Sequence, residues 1–154
     1  GNSSQQSHLR SLLGQCRRLL AHGTKLRVRS DSAGYNLSVM SYCLKHDIEF
    51  SITADLDAAV RESIEAIPEG KWQLVVRGEE TFLLAETIHV PGGCASRPLP
   101  ALRLIATKKL SGQLELFKDP IKHRAIIVSL PETMSALEVL DHHNDRGRME
   151  KAIG

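Results

Sequence analysis

A chain of 154 residues, 42% apolar and 25% charged, is long enough to bury a core as one domain, with or without an insertion. Its formal charge of +2 is too small to argue for nucleic acid by itself. No apolar run approaches the ~20 residues that span a bilayer, and the polar start from Gly1 to Ser7 is no signal peptide. Cys16, Cys43 and Cys94 are too widely spaced for a zinc site. With Cys16 and Cys43 on predicted apolar faces, reduced thiols are expected rather than a bridge.

Ser7 can cap a first helix in which Leu9, Leu12, Leu13, Cys16, Leu19 and Leu20 recur at helical spacing, ended by Gly23. Leu26 and Val28 then alternate with Arg27 and Arg29, a short strand over 25–29 that runs into Asp31. Asn36 caps a second helix carrying Leu37, Met40, Cys43 and Leu44. Ile48, Phe50 and Ile52 alternate with Glu49 and Ser51 as a second strand. Strand, helix and strand at this length predict a parallel βαβ unit. Asp55 or Asp57 opens a third helix with Val60, Ile64 and Ile67, stopped by Pro68.

From Lys71 the pattern turns to strands: Trp72 to Val76, Phe82 to Val90, Leu102 to Thr107, Leu114 to Phe117 and Arg124 to Leu130. A loop over 91–100 and turns at Gly78-Glu79-Glu80 and Ser111-Gly112 separate them. Pro131 opens a last helix with Met134, Leu137 and Leu140 on its apolar face, continuing through Glu150. The expected organisation is therefore an α/β part over 1–70, a β-rich insertion over 71–130 and a C-terminal helix over 131–154.

An acid at the carboxyl end of a sheet strand sits where open α/β sheets place their chemistry, and Asp31 has that position. It is equally readable as an Asx turn or a helix cap. On the last helix His143, Arg146 and Glu150 share one face, which could be a solvated ion pair or a phosphate-holding cation beside an ionised carboxylate. The run from Asp141 to Asp145 imitates a metal cluster, but adjacent helical residues point different ways and cannot all reach one ion.

Together the two segments resemble the DDE-class insertion-sequence transposases. Arg29-Ser30-Asp31-Ser32-Ala33-Gly34-Tyr35 is similar to that family's Arg-x-Asp-Ser-Gly-Phe-Tyr strand, which bears the second acid. The third acid of the family lies in a Tyr-x2-Arg-x3-Glu-x6-Lys helix; His143, Arg146 and Glu150 fit it in register, with His143 replacing Tyr. The Lys position lies beyond the last residue. The order of elements agrees along nearly the whole chain.

The resemblance implies a ribonuclease-H-like core lacking its first three strands, and a chain that is a piece of a longer protein. Asp31 and Glu150 would be catalytic and metal-holding, and His143 and Arg146 would contact DNA. Mg²⁺ or Mn²⁺ would be the cofactor, two ions in the complete site, since hard cations take oxygen ligands from separate elements. The partners implied are the terminal inverted repeats and target DNA, in the bacterial cytoplasm at the nucleoid, with no membrane role. The first Asp has no candidate, so the piece itself is expected to be inactive. The uncovered edge of the 25–29 strand would invite a second copy. The basic residues Arg97, Arg103, Lys108, Lys109, Lys122, His123 and Arg124 look scattered along the chain. The competing readings are a non-catalytic α/β interaction module, in which Asp31 only caps a turn, and a decayed element that lacks its start.

Overall fold

The computed structural model describes residues 2–21, 23–92, 99–109 and 123–145. The predicted Leu114–Phe117 strand, the Ser111-Gly112 turn, most of the 91–100 loop and the last helix beyond Asp145 lie outside the described residues. So do Arg146, Arg148, Glu150, Cys94, Arg97 and Lys122.

The chain is an α/β structure of four helices and a mixed sheet. In chain order the elements are α1 (Asn2–Leu19), β1 (Arg27–Ser30), α2 (Leu37–Lys45), β2 (Glu49–Ala54), α3 (Ala58–Glu65), β3 (Gln73–Arg77), β4 (Glu80–His89), β5 (Leu102–Lys109), β6 (His123–Val128) and α4 (Ala136–Asn144). Short 3₁₀ turns at Ser32–Gly34 and Glu69–Lys71 sit between them. α2, α3 and α4 start where side chains can cap them, whereas α1 already begins at Asn2, so Ser7 lies within it and does not cap it. Asn36 accepts from the Ser38 N–H at 2.8 Å, and Asp57, not Asp55, accepts from that of Val60 at 2.9 Å. Ser135 and Glu138 form a reciprocal capping box, so α4 begins after Ser135 rather than at Pro131.

The six strands form one sheet in the order β1-β2-β6-β5-β4-β3. β1 and β2 are parallel, as the βαβ reading requires, and every other pairing is antiparallel. The β-rich block therefore does not pack on the core as a separate layer. It continues the same sheet, with β6 pairing its Val128 to Ser51 and its Ala125 to Ala54. The sequence of β6 permits this: Ala125 to Val128 are buried in succession, as a central strand covered on both faces must be.

Alternation along β2 sorts the two faces. Phe50, Ile52 and Ala54 meet Val39, Met40 and Cys43 of α2 and Val60 and Ile64 of α3 in the larger core. Leu84, Ile105, Ile126 and Val128 point the other way and pack under Val139 and Leu140 of α4. Each such buried aliphatic side chain contributes about 1.5–3 kcal/mol.

Two expectations need correcting. The α1 stripe is only partly covered: Leu9 and Leu13 pack, but Leu12 is 43% and Leu19 87% exposed, and Cys16 is exposed rather than on a buried face. Among the described elements α1 lies chiefly against α2, which covers one narrow side of it. On β3, where Trp72, Leu74 and Val76 alternate along the sequence as an apolar side would, it is Val75 that packs toward α4, while Leu74 and Val76 are 62% and 67% exposed.

Candidate functional site

One edge of the sheet collects the residues of interest. The carboxyl ends of β1 and β2, the amino end of β6, the carboxyl end of β5, the amino end of β4 and the carboxyl end of β3 all lie along it. The registers Ser30↔Ile52, Ala54↔Ala125, Lys108↔His123, Phe82↔Lys109 and Arg77↔Glu80 fix that arrangement.

Asp31 is the first residue past β1 on this edge. Its backbone is extended (φ −71°, ψ −170°), and its exposed carboxylate accepts from the Ala33 N–H at 3.2 Å, capping the Ser32–Gly34 turn. Gly34 is what lets that turn fold back onto β1. A Cβ built there would stand 2.6 Å from Ser30 Cβ, closer than carbon atoms tolerate. Tyr35 follows, next to the acids after β2. Burial, then the Asp57 and Asp55 charges and a hydrogen bond with Asp57, push its phenol up to about 12.

α4 runs toward the same edge. Its amino end lies with Arg103 and Lys71 around a cavity at the opposite edge, and its last turn reaches Arg124, whose Nη1 donates to Asn144 Oδ1 at 2.9 Å. That last turn is held at several points. Arg29 Nη1 donates to the His142 carbonyl at 2.7 Å, and Arg77 pairs with Asp141. His143 is buried beneath the helix, only 4% exposed, with Nδ1 3.0 Å from Ser51 Oγ and Nε2 3.0 Å from Thr53 Oγ1. The imidazole thus faces β2, not solvent. Next to it, burial first and then the Arg29 and Arg27 charges hold the His142 ring below the usual histidine range.

The structure therefore brings Asp31 and the end of α4 to one rim, with Arg29 reaching from the strand of the first to the backbone of the second. The 141–145 run does not converge, because Asp141 turns to Arg77 and His143 to the sheet. Among the described residues no group of three or more His, Cys, Asp or Glu is placed to hold a metal. Reasoning from sequence missed Ser51 and Thr53 as partners of His143. Their only signal was polarity at alternate positions of an otherwise apolar strand.

Neither a scan of the chain against protein-family models nor a search of curated proteins gives a match. No helix among the described residues is long and apolar enough to cross a membrane.

Proposed function

We propose that this chain is part of the catalytic domain of a bacterial DNA transposase of the DDE class, built on a ribonuclease-H-like core. In this reading Asp31 and Glu150 are two of the three acids that hold divalent metal, and the chain works on DNA at the nucleoid. The observation that carries it is the Arg29 hydrogen bond to His142, which ties the strand leading to Asp31 to the helix leading toward Glu150. Two segments more than a hundred residues apart meet at one sheet edge, the edge where α/β sheets keep their chemistry.

The donor chemistry at Asp31 fits Mg²⁺ or Mn²⁺. It is an exposed carboxylate at the rigid end of a strand, a hard oxygen ligand that leaves room for water. In this reading Asp31, Glu150 and an upstream Asp would hold two such ions, which would supply stabilisation of the attacking and leaving oxygens in phosphodiester cleavage and strand transfer. The resemblance gives Arg146 the task of holding a substrate phosphate, as a guanidinium would. His143 has a different task from the one its alignment with a family Tyr suggests: it seats the helix on β2, and Arg29 fixes the azimuth of the last turn. β1 is an edge strand among the described residues, so its outer side can take the upstream strand of the core or a second copy.

The decisive experiment supplies the upstream acid-bearing strand and measures Mg²⁺- or Mn²⁺-dependent cutting of element-end DNA. Asp31→Ala and Glu150→Ala should each abolish it, and unchanged cutting in both rejects the reading. One observation favours a non-catalytic binding module instead: Asp31 caps its own turn, which is a sufficient structural reason for an Asp. That module would lose stability but no metal-dependent activity on Asp31→Ala.

A further inference from the structure

Basic residues from separate stretches of the β-rich block meet around one concavity. A cavity of about 280 Å³ opens on the rim described above, with Phe82 and Leu140 among its lining and Arg77, Lys109, His123 and Arg124 around them. These four residues come from three different strands whose ends the antiparallel pairings bring level: Lys109 closes β5, His123 and Arg124 open β6, and Arg77 closes β3. Alternation sets Arg77, Phe82, Lys109 and Arg124 on the α4 face with Ile105 and Ile126.

The charges are unequally committed. Arg77 is paired with Asp141, and Glu80 is the carboxylate in the lining. Arg124 meets only the neutral amide of Asn144 among the described residues, and Lys109 has no carboxylate partner among them. Positive charge without an acidic partner, above an apolar floor and at the mouth of a concavity, matches a phosphodiester chain better than it matches a peptide or a lone metal ion.

We infer that this cavity is a DNA-backbone subsite, in which Lys109 and Arg124 hold phosphates of the strand whose scissile bond lies at Asp31. This rests on the transposase reading and specifies where its substrate runs. β5 is three strand positions from β1 in the sheet, roughly 14 Å at the usual ~4.8 Å spacing. That is about four phosphate steps along one strand of a duplex. The substrate accordingly crosses the rim from β1 toward β4, over the carboxyl end of α4, and the β-rich block acts as its electrostatic rest.

The test is a fluorescence-anisotropy titration of this chain with a short DNA duplex across a series of salt concentrations. Lys109→Ala/Arg124→Ala should bind about tenfold more weakly, with a salt slope smaller by about two, one for each phosphate released. Lys109→Arg/Arg124→Lys, which keeps both charges, should restore the slope. Lys45→Ala/Lys71→Ala removes the same charge from exposed positions on the opposite edge and should leave both quantities unchanged. Thermal melts verify that each variant is folded; if the double variant is not, Lys109→Met alone is read, with half the change in slope. Equal binding by the rim variant and the unsubstituted chain overturns the subsite, as do equal losses in the two double alanine variants or no binding by the unsubstituted chain. The transposase reading fails separately, on the cutting assay with Asp31→Ala and Glu150→Ala.

Discussion

Arg29 Nη1 donates a hydrogen bond to the main-chain carbonyl of His142, 2.7 Å away in space and 113 residues on in the chain. The last carbonyls of a helix have no partner within it, and a guanidinium answers both the unmet acceptor and the negative end of the helix dipole. Arg29→Met keeps the aliphatic stem and removes the donor. The expected loss is about 1.5–3 kcal/mol in denaturant unfolding, the range for a hydrogen bond from a charged group. Hydrogen exchange locates the effect: amides in the last turn of α4 should exchange faster, while those of β4 and β5 keep their protection. Uniform exchange across α4 before and after substitution would show that the tether does not hold the helix end.

Gly34 and Ser30 form a second tight relationship. The Cβ that Gly34→Ala adds would lie 2.6 Å from Ser30 Cβ, part of the backbone-proximal side chain rather than a flexible tip. Strand end and turn must separate, at about 1–3 kcal/mol. Ser30→Gly in the same chain clears the space, so the double variant should be more stable than the two single losses added together. Additive losses would mean that the turn already relaxes freely and that Asp31 is not held by it.

Local chemistry explains what was legible in advance. The caps at Asn36 and Asp57 could be read because a side chain and the backbone it bonds are two or three residues apart. The placement of Asp31 at a strand end followed from period-two alternation at Leu26 to Arg29. What sequence could not give was non-local. β6 joins β2 across more than seventy residues, and nothing in Ala125 to Val128 names its neighbour. The run of Ile126, Ile127 and Val128 without alternation was the one hint that β6 is central. Leu74 and Val76 show the converse: alternation identifies a strand without saying which side is covered. At the site, the partner of Arg29 is a main-chain carbonyl, which leaves no mark on residue identity.

Glu49 contributes to the acid limb of stability. Burial pushes its carboxyl up, but hydrogen bonds and charges from Arg27 (2.5 Å) and Lys25 (3.3 Å) together outweigh that and hold it below the usual carboxylate range. A carboxyl depressed in the folded state contributes stability above its unfolded value and loses it as pH falls through the folded one. Glu49→Gln should therefore lower stability at neutral pH by about 1–2 kcal/mol and flatten the decline below pH about 4. Urea midpoints measured from neutral to acid pH read this directly; a parallel pair of curves for the two proteins would remove Glu49 from the account.

Cys43 does the reverse in alkali. Burial pushes its thiol from 9.0 up to about 11, so the protonated form is the one the fold favours. Its contribution is whole below pH 9 and lost as pH climbs through 11. Tyr35, raised from 10.0 to about 12, adds a second step slightly higher. Cys43→Ala should delay the onset of alkaline destabilisation toward the tyrosine step, although it lowers stability at neutral pH by leaving a small void. Identical onsets in both chains would contradict the assignment.

His143 offers the sharpest test of how the candidate site is built. A neutral imidazole donates at one nitrogen and accepts at the other, and a hydroxyl can do either, so Ser51 and Thr53 satisfy the ring in both tautomers. His143→Phe retains an aromatic of similar size but takes this partner from two hydroxyls, one of them on the fully buried Ser51. At about 1–3 kcal/mol for each group left without a bond, a loss of about 3 kcal/mol is expected in equilibrium unfolding. Adding Ser51→Ala and Thr53→Val removes the stranded hydroxyls and should recover most of it, because an apolar contact replaces a polar one of the same shape. DNA affinity should follow stability through this series, since the imidazole acts by seating α4 on β2. A fall in affinity with stability unchanged would give the ring the phosphate-holding role that its alignment with the family tyrosine suggests.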